Sequence, residues 1–335
     1  MTPLDPGMLS FSQTLSTQTP PGSELWSLEQ QRATWNAVCA RFRAPRPDNV
    51  EVTDLIANGV PARIFKPKGT IPKPGIIYSH GGGWVLGGPD THDDICAEMA
   101  AGADCVVVLT DYRLAPEHRH PAQLEDTLKV WRWMRQQAHL HGIHPEHIIA
   151  AGDSAGGQMS VALALTLRDL GLPQLHAMAL LYPVLGVNME TASYMRNANA
   201  PCLTREDMRY YLTSFLGPEG SANWRDEKAV PLMASSVEGL PPAYITVAGH
   251  DPLHDDGVMF HEKLRAAGIP SELRREPALA HSYMRARHHS AVAMQGFQAI
   301  VGALKGFAEN TSSALRAASP EEKQLGVRPP QMIKH

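Results

Sequence analysis

Cysteine is scarce in this chain: four residues in 335, Cys39, Cys96, Cys105 and Cys202, scattered without a metal-type spacing or a dense pairing pattern. That excludes a disulfide-stapled scaffold and points to structural thiols in a reducing cytoplasm. Long hydrophobic runs are missing as well. No stretch approaches the roughly 20 apolar residues that a membrane-spanning helix needs, so membrane insertion is not expected. Neither sign of charge dominates, with 30 Lys and Arg against 34 Asp and Glu for a formal net charge of −4. Such a balance gives no electrostatic reason to bind nucleic acid or an anionic membrane. Residues 1–21 mix Ser, Thr, Gln and Pro without a basic region leading into an apolar stretch, which argues against a secretory signal.

What is present is an alternation. Short apolar, β-branched runs occur at Ile76-Ile77-Tyr78, Val106-Val107-Val108-Leu109, Ile148-Ile149-Ala150 and Tyr244-Ile245-Thr246-Val247, separated by longer segments of helical period. Alternation of this kind predicts an α/β protein with crossover helices around a mostly parallel sheet. One helix is expected from about Pro121, with Leu124, Leu128 and Trp131 on its buried face, and another over 155–170 with Gly171 as its stop. Residues 52–54 and 62–65 read as leading strands joined by a turn at Asn58-Gly59. A last strand at 271–275 and a closing helix over 290–307 complete the sheet.

Two stretches stand outside this pattern. Leu25, Leu28, Trp35, Val38 and Phe42 make an amphipathic helix ahead of the first strand. A long excursion separates the strand ending near Tyr182 from the one beginning near Tyr244. It carries a capping box, Thr204 with Asp207, then Met208, Tyr211, Leu212 and Phe215 on one face and Gly217 as a stop. An insertion after a strand, at the end where sites collect, is a natural lid. The polar tail from Thr311 reads as loosely packed.

Chemistry concentrates in four places. Gly152-Asp153-Ser154-Ala155-Gly156 lies between a strand and a helix, where a sharp turn holds a serine in strain and lifts its hydroxyl clear of the sheet. By chance such a pentapeptide turns up in about one chain in eight, so the strand–helix context carries the reading. His80-Gly81-Gly82-Gly83 follows a strand directly. Three glycines let the backbone come close to a ligand and aim N–H groups at a developing oxyanion, with the Ala155 N–H as a further donor. A phosphate loop would want a lysine and a hydroxyl at the helix start, and neither is there. Asp251, just past the strand 244–248, is an acid at the end of the sheet where sites form; Asp255 and Asp256 are alternatives that open the next helix. His281 follows the last strand and completes the order serine, acid, histidine. His250 adjoins the acid and points elsewhere if Asp251 points in, and His288 and His289 are expected at the start of the closing helix.

Residues 75–290 resemble the hormone-sensitive lipase family of esterases, also called bacterial esterase family IV. The resemblance rests on His80-Gly81-Gly82-Gly83-Trp84, Asp111-Tyr112-Arg113-Leu114-Ala115-Pro116-Glu117, Gly152-Asp153-Ser154-Ala155-Gly156-Gly157 and Asp251-Pro252-Leu253. It implies the α/β-hydrolase fold with eight strands and a helical cap. The implied division is cap helices in 1–48, core in 49–185 and 229–310, a cap insertion in 186–228 and a tail in 311–335. By position, Ser154, Asp251 and His281 match the family's triad, and Gly81, Gly82 and Ala155 its oxyanion donors. Trp84 falls where the family lines its acyl pocket; Tyr182, Met208 and Phe215 are added as pocket candidates. His80 and Asp153 are read as supports of the two loops, and Arg113 and Glu117 as structural. Around the histidine the family reads Gly-Met-x-His-Gly-Phe, whereas this chain reads Ala278-Leu279-Ala280-His281-Ser282-Tyr283.

The expected reaction is hydrolysis of short- to medium-chain acyl esters through an acyl-enzyme, with no metal or organic cofactor. A small-molecule ester is the expected partner, with a possible homodimer as in relatives. Hydrolysis of amides, carbamates or lactones, and a non-catalytic receptor on the same fold, are the competing readings. Ser154 and His281 argue against elimination and receptor roles, whose carriers among the relatives typically lack one or the other.

Overall fold

The computed structural model describes residues 2–20, 22–69 and 72–317. Eight strands form one sheet: β1 (Val50–Ala57), β2 (Val60–Pro67), β3 (Lys73–Ser79), β4 (Val106–Thr110), β5 (Ile143–Asp153), β6 (Ala177–Leu181), β7 (Ala243–His250) and β8 (Ser271–Ala280). Their order is β1-β2-β4-β3-β5-β6-β7-β8. β1, β2 and β4 pair antiparallel, and all the other pairs are parallel. Asn58 and Gly59 both have positive φ, 48° and 86°, the backbone a two-residue hairpin turn requires.

The strand period of two divides the core. Ile76 and Tyr78 of β3, Val107 and Leu109 of β4 and Ile149 of β5 enter one apolar layer; Ile77, Val106, Val108, Ile148 and Ala150 enter the other. Every residue of β3 is buried, which is why a central parallel strand reads as a continuous apolar run. The first layer is covered by the helices Pro6–Gln18, Asp93–Ala103 and Ala291–Ala317, the second by Ala122–Gln136, Ala155–Asp169 and His254–Ala266. A third cluster gathers Trp84, Met159, Met208, Leu212, Phe215 and Trp224 above the carboxyl ends of the strands.

Three features differ from the sequence expectation. The helix Pro6–Gln18 went unread: Asp5 caps it, accepting the Met8 N–H at 3.0 Å, and Met8, Phe11 and Leu15 bury its one narrow stripe against the sheet layer. The closing helix begins at Ala291, after His288 and His289, and runs past Phe307 to Ala317. The tail expected from Thr311 is therefore helical as far as Ala317, and residues 318–335 lie outside the described residues. Among the described residues no helix is long and apolar enough to cross a membrane.

Candidate active site

β5 ends at Asp153, and Ser154 turns the chain into the helix Ala155–Asp169 with φ 56° and ψ −117°. A non-glycine residue at positive φ is strained and persists only where its surroundings hold it. Here the Ser154 N–H donates to Leu181 O at 2.9 Å, and the turn is tight enough that a Cβ on Gly156 would sit 1.8 Å from Ser79 O. Small residues at this motif are thus demanded by the approach of helix to strand.

Asp251 follows β7 and His281 follows β8, neighbouring parallel strands whose carboxyl ends bring the two side chains together. His281 Nδ1 lies 2.7 Å from Asp251 Oδ2, and its Nε2 lies 2.9 Å from Ser154 Oγ. Asp251 is fully buried and Ser154 is 7% exposed. The other acids go elsewhere. Asp255 accepts the Ser193 N–H, and Asp256 accepts the N–H groups of Leu185 and Gly186, each at 2.8 Å. His250 turns out to the main-chain oxygen of Thr2, 2.9 Å away.

The glycine loop corrects one expectation. The Gly81 N–H is already committed, donating to Asp153 Oδ1 at 2.9 Å, so it is not a free oxyanion donor. Among the described residues, the N–H groups of Gly82, Gly83 and Ala155 have no acceptor. Gly82 and Gly83 stand at φ 125° and 60°, in the region open to glycine. Sequence could not separate the three glycines, because the choice depends on where the Asp153 side chain turns.

Asp153 also accepts the Tyr78 hydroxyl at 2.9 Å and meets His92 Nε2 at 3.2 Å. His92 in turn touches the Arg285 guanidinium at 2.9 Å, and Arg285 lies over the Trp35 ring. Burial opposes ionisation of Asp153, but His92, then Arg285 and the Tyr78 hydroxyl, hold its carboxyl well below the usual carboxylate range. His80 stacks on Tyr112 at 4.2 Å and donates from Nδ1 to Gly81 O at 2.9 Å. Both residues therefore brace the glycine loop. Arg113 binds Asp126 and Glu125, while Glu117 takes a bidentate pair from Arg32 of the helix Leu28–Arg41.

The four pocket candidates are all buried. Trp84 and Phe215 stack face to face at 4.0 Å with Met208 in the same cluster, and the Trp84 indole N–H donates to Gln158. Tyr182 sets its ring edge-on to His281 at 4.9 Å. None of the four lies on the wall of the cleft of about 980 Å³ lined by Trp26, Trp35, Leu86, Cys202, Leu203 and Tyr211 among others. Neither do Ser154 and His281. Tyr211 stands between: it lines the cleft and packs against Gly83, where a Cβ would fall 2.3 Å from its ring. The sequence placed Tyr211 on the apolar face of its helix but gave no sign of this contact.

A family model described as the α/β-hydrolase fold matches residues 76–285. The chain belongs to that family, in its hormone-sensitive lipase branch. Carboxylesterase NlhH of Mycobacterium tuberculosis is 40% identical over 227 residues, 67% of this chain and 71% of that protein. Esterase LipI of the same organism is 39% identical over 250 residues, covering 72% and 78%. A crystal structure of a thermostable esterase from Pseudomonas putida superposes with a TM-score of 0.86 at 26% identity, over 92% of this chain and 98% of that one.

Proposed function

We propose that this α/β hydrolase cleaves carboxylic esters with Ser154 as nucleophile, His281 as general base and Asp251 orienting the imidazole. The observation that carries the reading is the continuous contact from Ser154 Oγ through His281 to Asp251 Oδ2, beside amides that have no acceptor among the described residues. As Ser154 Oγ attacks the ester carbonyl, its proton passes to His281 Nε2 and the carbonyl oxygen becomes an oxyanion. Gly82, Gly83 and Ala155 donate to that oxygen, each such donor being worth about 10²–10³ in rate. The bond to the alcohol oxygen then breaks as His281 returns the proton to it. Water, deprotonated by the same imidazole, attacks the acyl carbon, and the bond to Ser154 Oγ breaks as His281 returns the proton to that oxygen, releasing the acid and restoring the serine. Asp251 fixes which ring nitrogen carries the proton and stabilises the cation formed midway.

The excursion 186–228 acts as the cap, together with the helix Leu28–Arg41 held to it across the cleft, where the Tyr210 hydroxyl donates to Gln31. Short- to medium-chain acyl groups are the proposed substrates, a range that the resemblance to the hormone-sensitive lipase family supports. Four unpaired thiols suit a reducing compartment such as the cytoplasm. β8 ends the sheet, and pairing of two such edges is the proposed route to a homodimer.

The test is hydrolysis of p-nitrophenyl esters from acetate to palmitate by wild type, Ser154→Ala, His281→Ala and His250→Ala. Activity peaking at short chains, abolished by the first two changes and spared by the third, is expected. Folded wild type that turns over none of the series overturns the reading.

A further inference from the structure

The acid has a support that comes from the excursion, not from its own strand or helix. Asn197, 4% exposed, follows the short helix Ala192–Arg196 and reaches across to the loop after β7. Its Nδ2 donates to the main-chain oxygen of Asp251 at 2.9 Å and to that of Gly249 at 3.3 Å. Ser193, fully buried four residues earlier, grips the following stretch. Its hydroxyl donates to Pro252 O at 2.6 Å and accepts from the Asp255 N–H at 3.2 Å, while its own N–H donates to Asp255 Oδ2 at 2.8 Å.

These bonds take hold of the backbone on which the carboxylate is mounted. The carboxylate's local tie is a single bond, the Leu253 N–H donating to Oδ1 at 2.9 Å, and Oδ2 is left for His281. The loop therefore takes much of its placement from Asn197 and Ser193. Between those two lies Tyr194, fully buried in the cluster that holds Trp84, Met208 and Phe215. One short segment thus packs into the apolar cap cluster and grips the acid loop. Seating of the cap and alignment of the acid become a single event.

We propose that Asn197, seconded by Ser193, is a positioning residue for Asp251, through which the seating of the excursion sets the orientation of His281. The proposal rests on the esterase reading above. Misplacing the acid leaves substrate contacts intact and weakens only the proton transfers, so the loss falls on kcat. Asn197→Ala strands two buried carbonyls, and Asn197→Asp is of the same shape but offers at most one donor hydrogen where the amide has two. Ser193→Thr keeps the hydroxyl.

The experiment measures kcat and KM of full-length Asn197→Ala, Asn197→Asp, Ser193→Ala and Ser193→Thr on p-nitrophenyl butyrate, beside circular dichroism and the downfield proton signal of the His281–Asp251 hydrogen bond. For Asn197→Ala and Asn197→Asp a kcat loss of between about ten- and a hundredfold is expected, with KM within about twofold of wild type. The downfield signal moves or broadens in both. Ser193→Thr recovers most of what Ser193→Ala loses. Wild-type kcat with an unmoved signal in folded Asn197→Ala overturns the proposal. Should that variant not fold, wild-type kcat in Ser193→Ala overturns it equally. An inactive wild type removes the esterase reading and the proposal with it, whereas an active wild type matched by Asn197→Ala removes the proposal alone.

Discussion

The carboxylate of Asp153, one residue before the serine, accepts the N–H of Gly81 at 2.9 Å. The strand that delivers the nucleophile is thereby tied to the loop that presents the oxyanion donors, and the two halves of the site hold one register. Asp153→Ala strands the Gly81 N–H and the Tyr78 hydroxyl in a buried setting, and removes one of the carboxylates that offset the buried Arg285 charge. Removing one partner of a buried charged network costs about 3–5 kcal/mol, so a lowered thermal midpoint is expected. A loop displaced by an ångström would also take about a hundredfold from kcat. Asp153→Asn keeps an oxygen for Gly81 and is expected to lose less of both. Thermal unfolding and steady-state kinetics check this; equal losses in the two variants contradict the Gly81 role.

Tyr211 is expected to limit chain length. It walls the roughly 980 Å³ cleft on one side and lies on Gly83 on the other. Tyr211→Ala removes that partition and should move the best p-nitrophenyl ester to a longer acyl chain, with acetate turnover reduced less than tenfold. An unchanged chain-length profile places the acyl group elsewhere.

The buried histidines should withdraw stability as the pH falls, against Asp256 and Asp111, whose carboxyls burial raises to about 7 and about 6 and which add stability over the same range. Burial pushes the His80 imidazole from its ordinary 6.5 down to about 3. Burial also lowers His92, and it takes His147 to about 4 with help from His144 and His176. Below pH 6.5 the unfolded chain binds protons that these folded rings refuse. Their contribution is therefore complete above that value and falls as pH drops towards the folded values. By pH 4.5 His80 alone accounts for about 3 kcal/mol, a shift of several degrees in the thermal midpoint. Unfolding curves at pH 7.5, 6.0, 5.2 and 4.5 measure it. His80→Gln should start lower at pH 7.5 and close the gap to wild type as the pH falls, and a gap that stays constant across the series would rule the effect out.

Much of this was legible in the sequence, for local reasons. The apolar runs of the central strands, the Asn58-Gly59 turn and the Thr204–Asp207 capping box each have a local cause, and each stands where the pattern put it. Ser154, Asp251 and His281, chosen by their place after β5, β7 and β8, meet in space. Other features depend on tertiary context. The helix Pro6–Gln18 carries a stripe of only Met8, Phe11 and Leu15 among Ser, Thr and Gln, and the sheet layer it docks on supplies its stability. Which glycine amides stay free follows from the rotation of Asp153, and the grip of Asn197 on Asp251 spans 54 positions of chain. Trp84 and Phe215 look like pocket residues by type, yet they stack on each other.

The most direct test is covalent. A short-chain alkyl p-nitrophenyl phosphonate mimics the tetrahedral intermediate and traps an activated serine. Mass spectrometry of digested protein is expected to find one phosphonyl group, on the peptide carrying Ser154, with labelling slowed at least a hundredfold in His281→Ala. Labelling at another residue, or labelling of Ser154 at an unchanged rate without His281, would contradict the account.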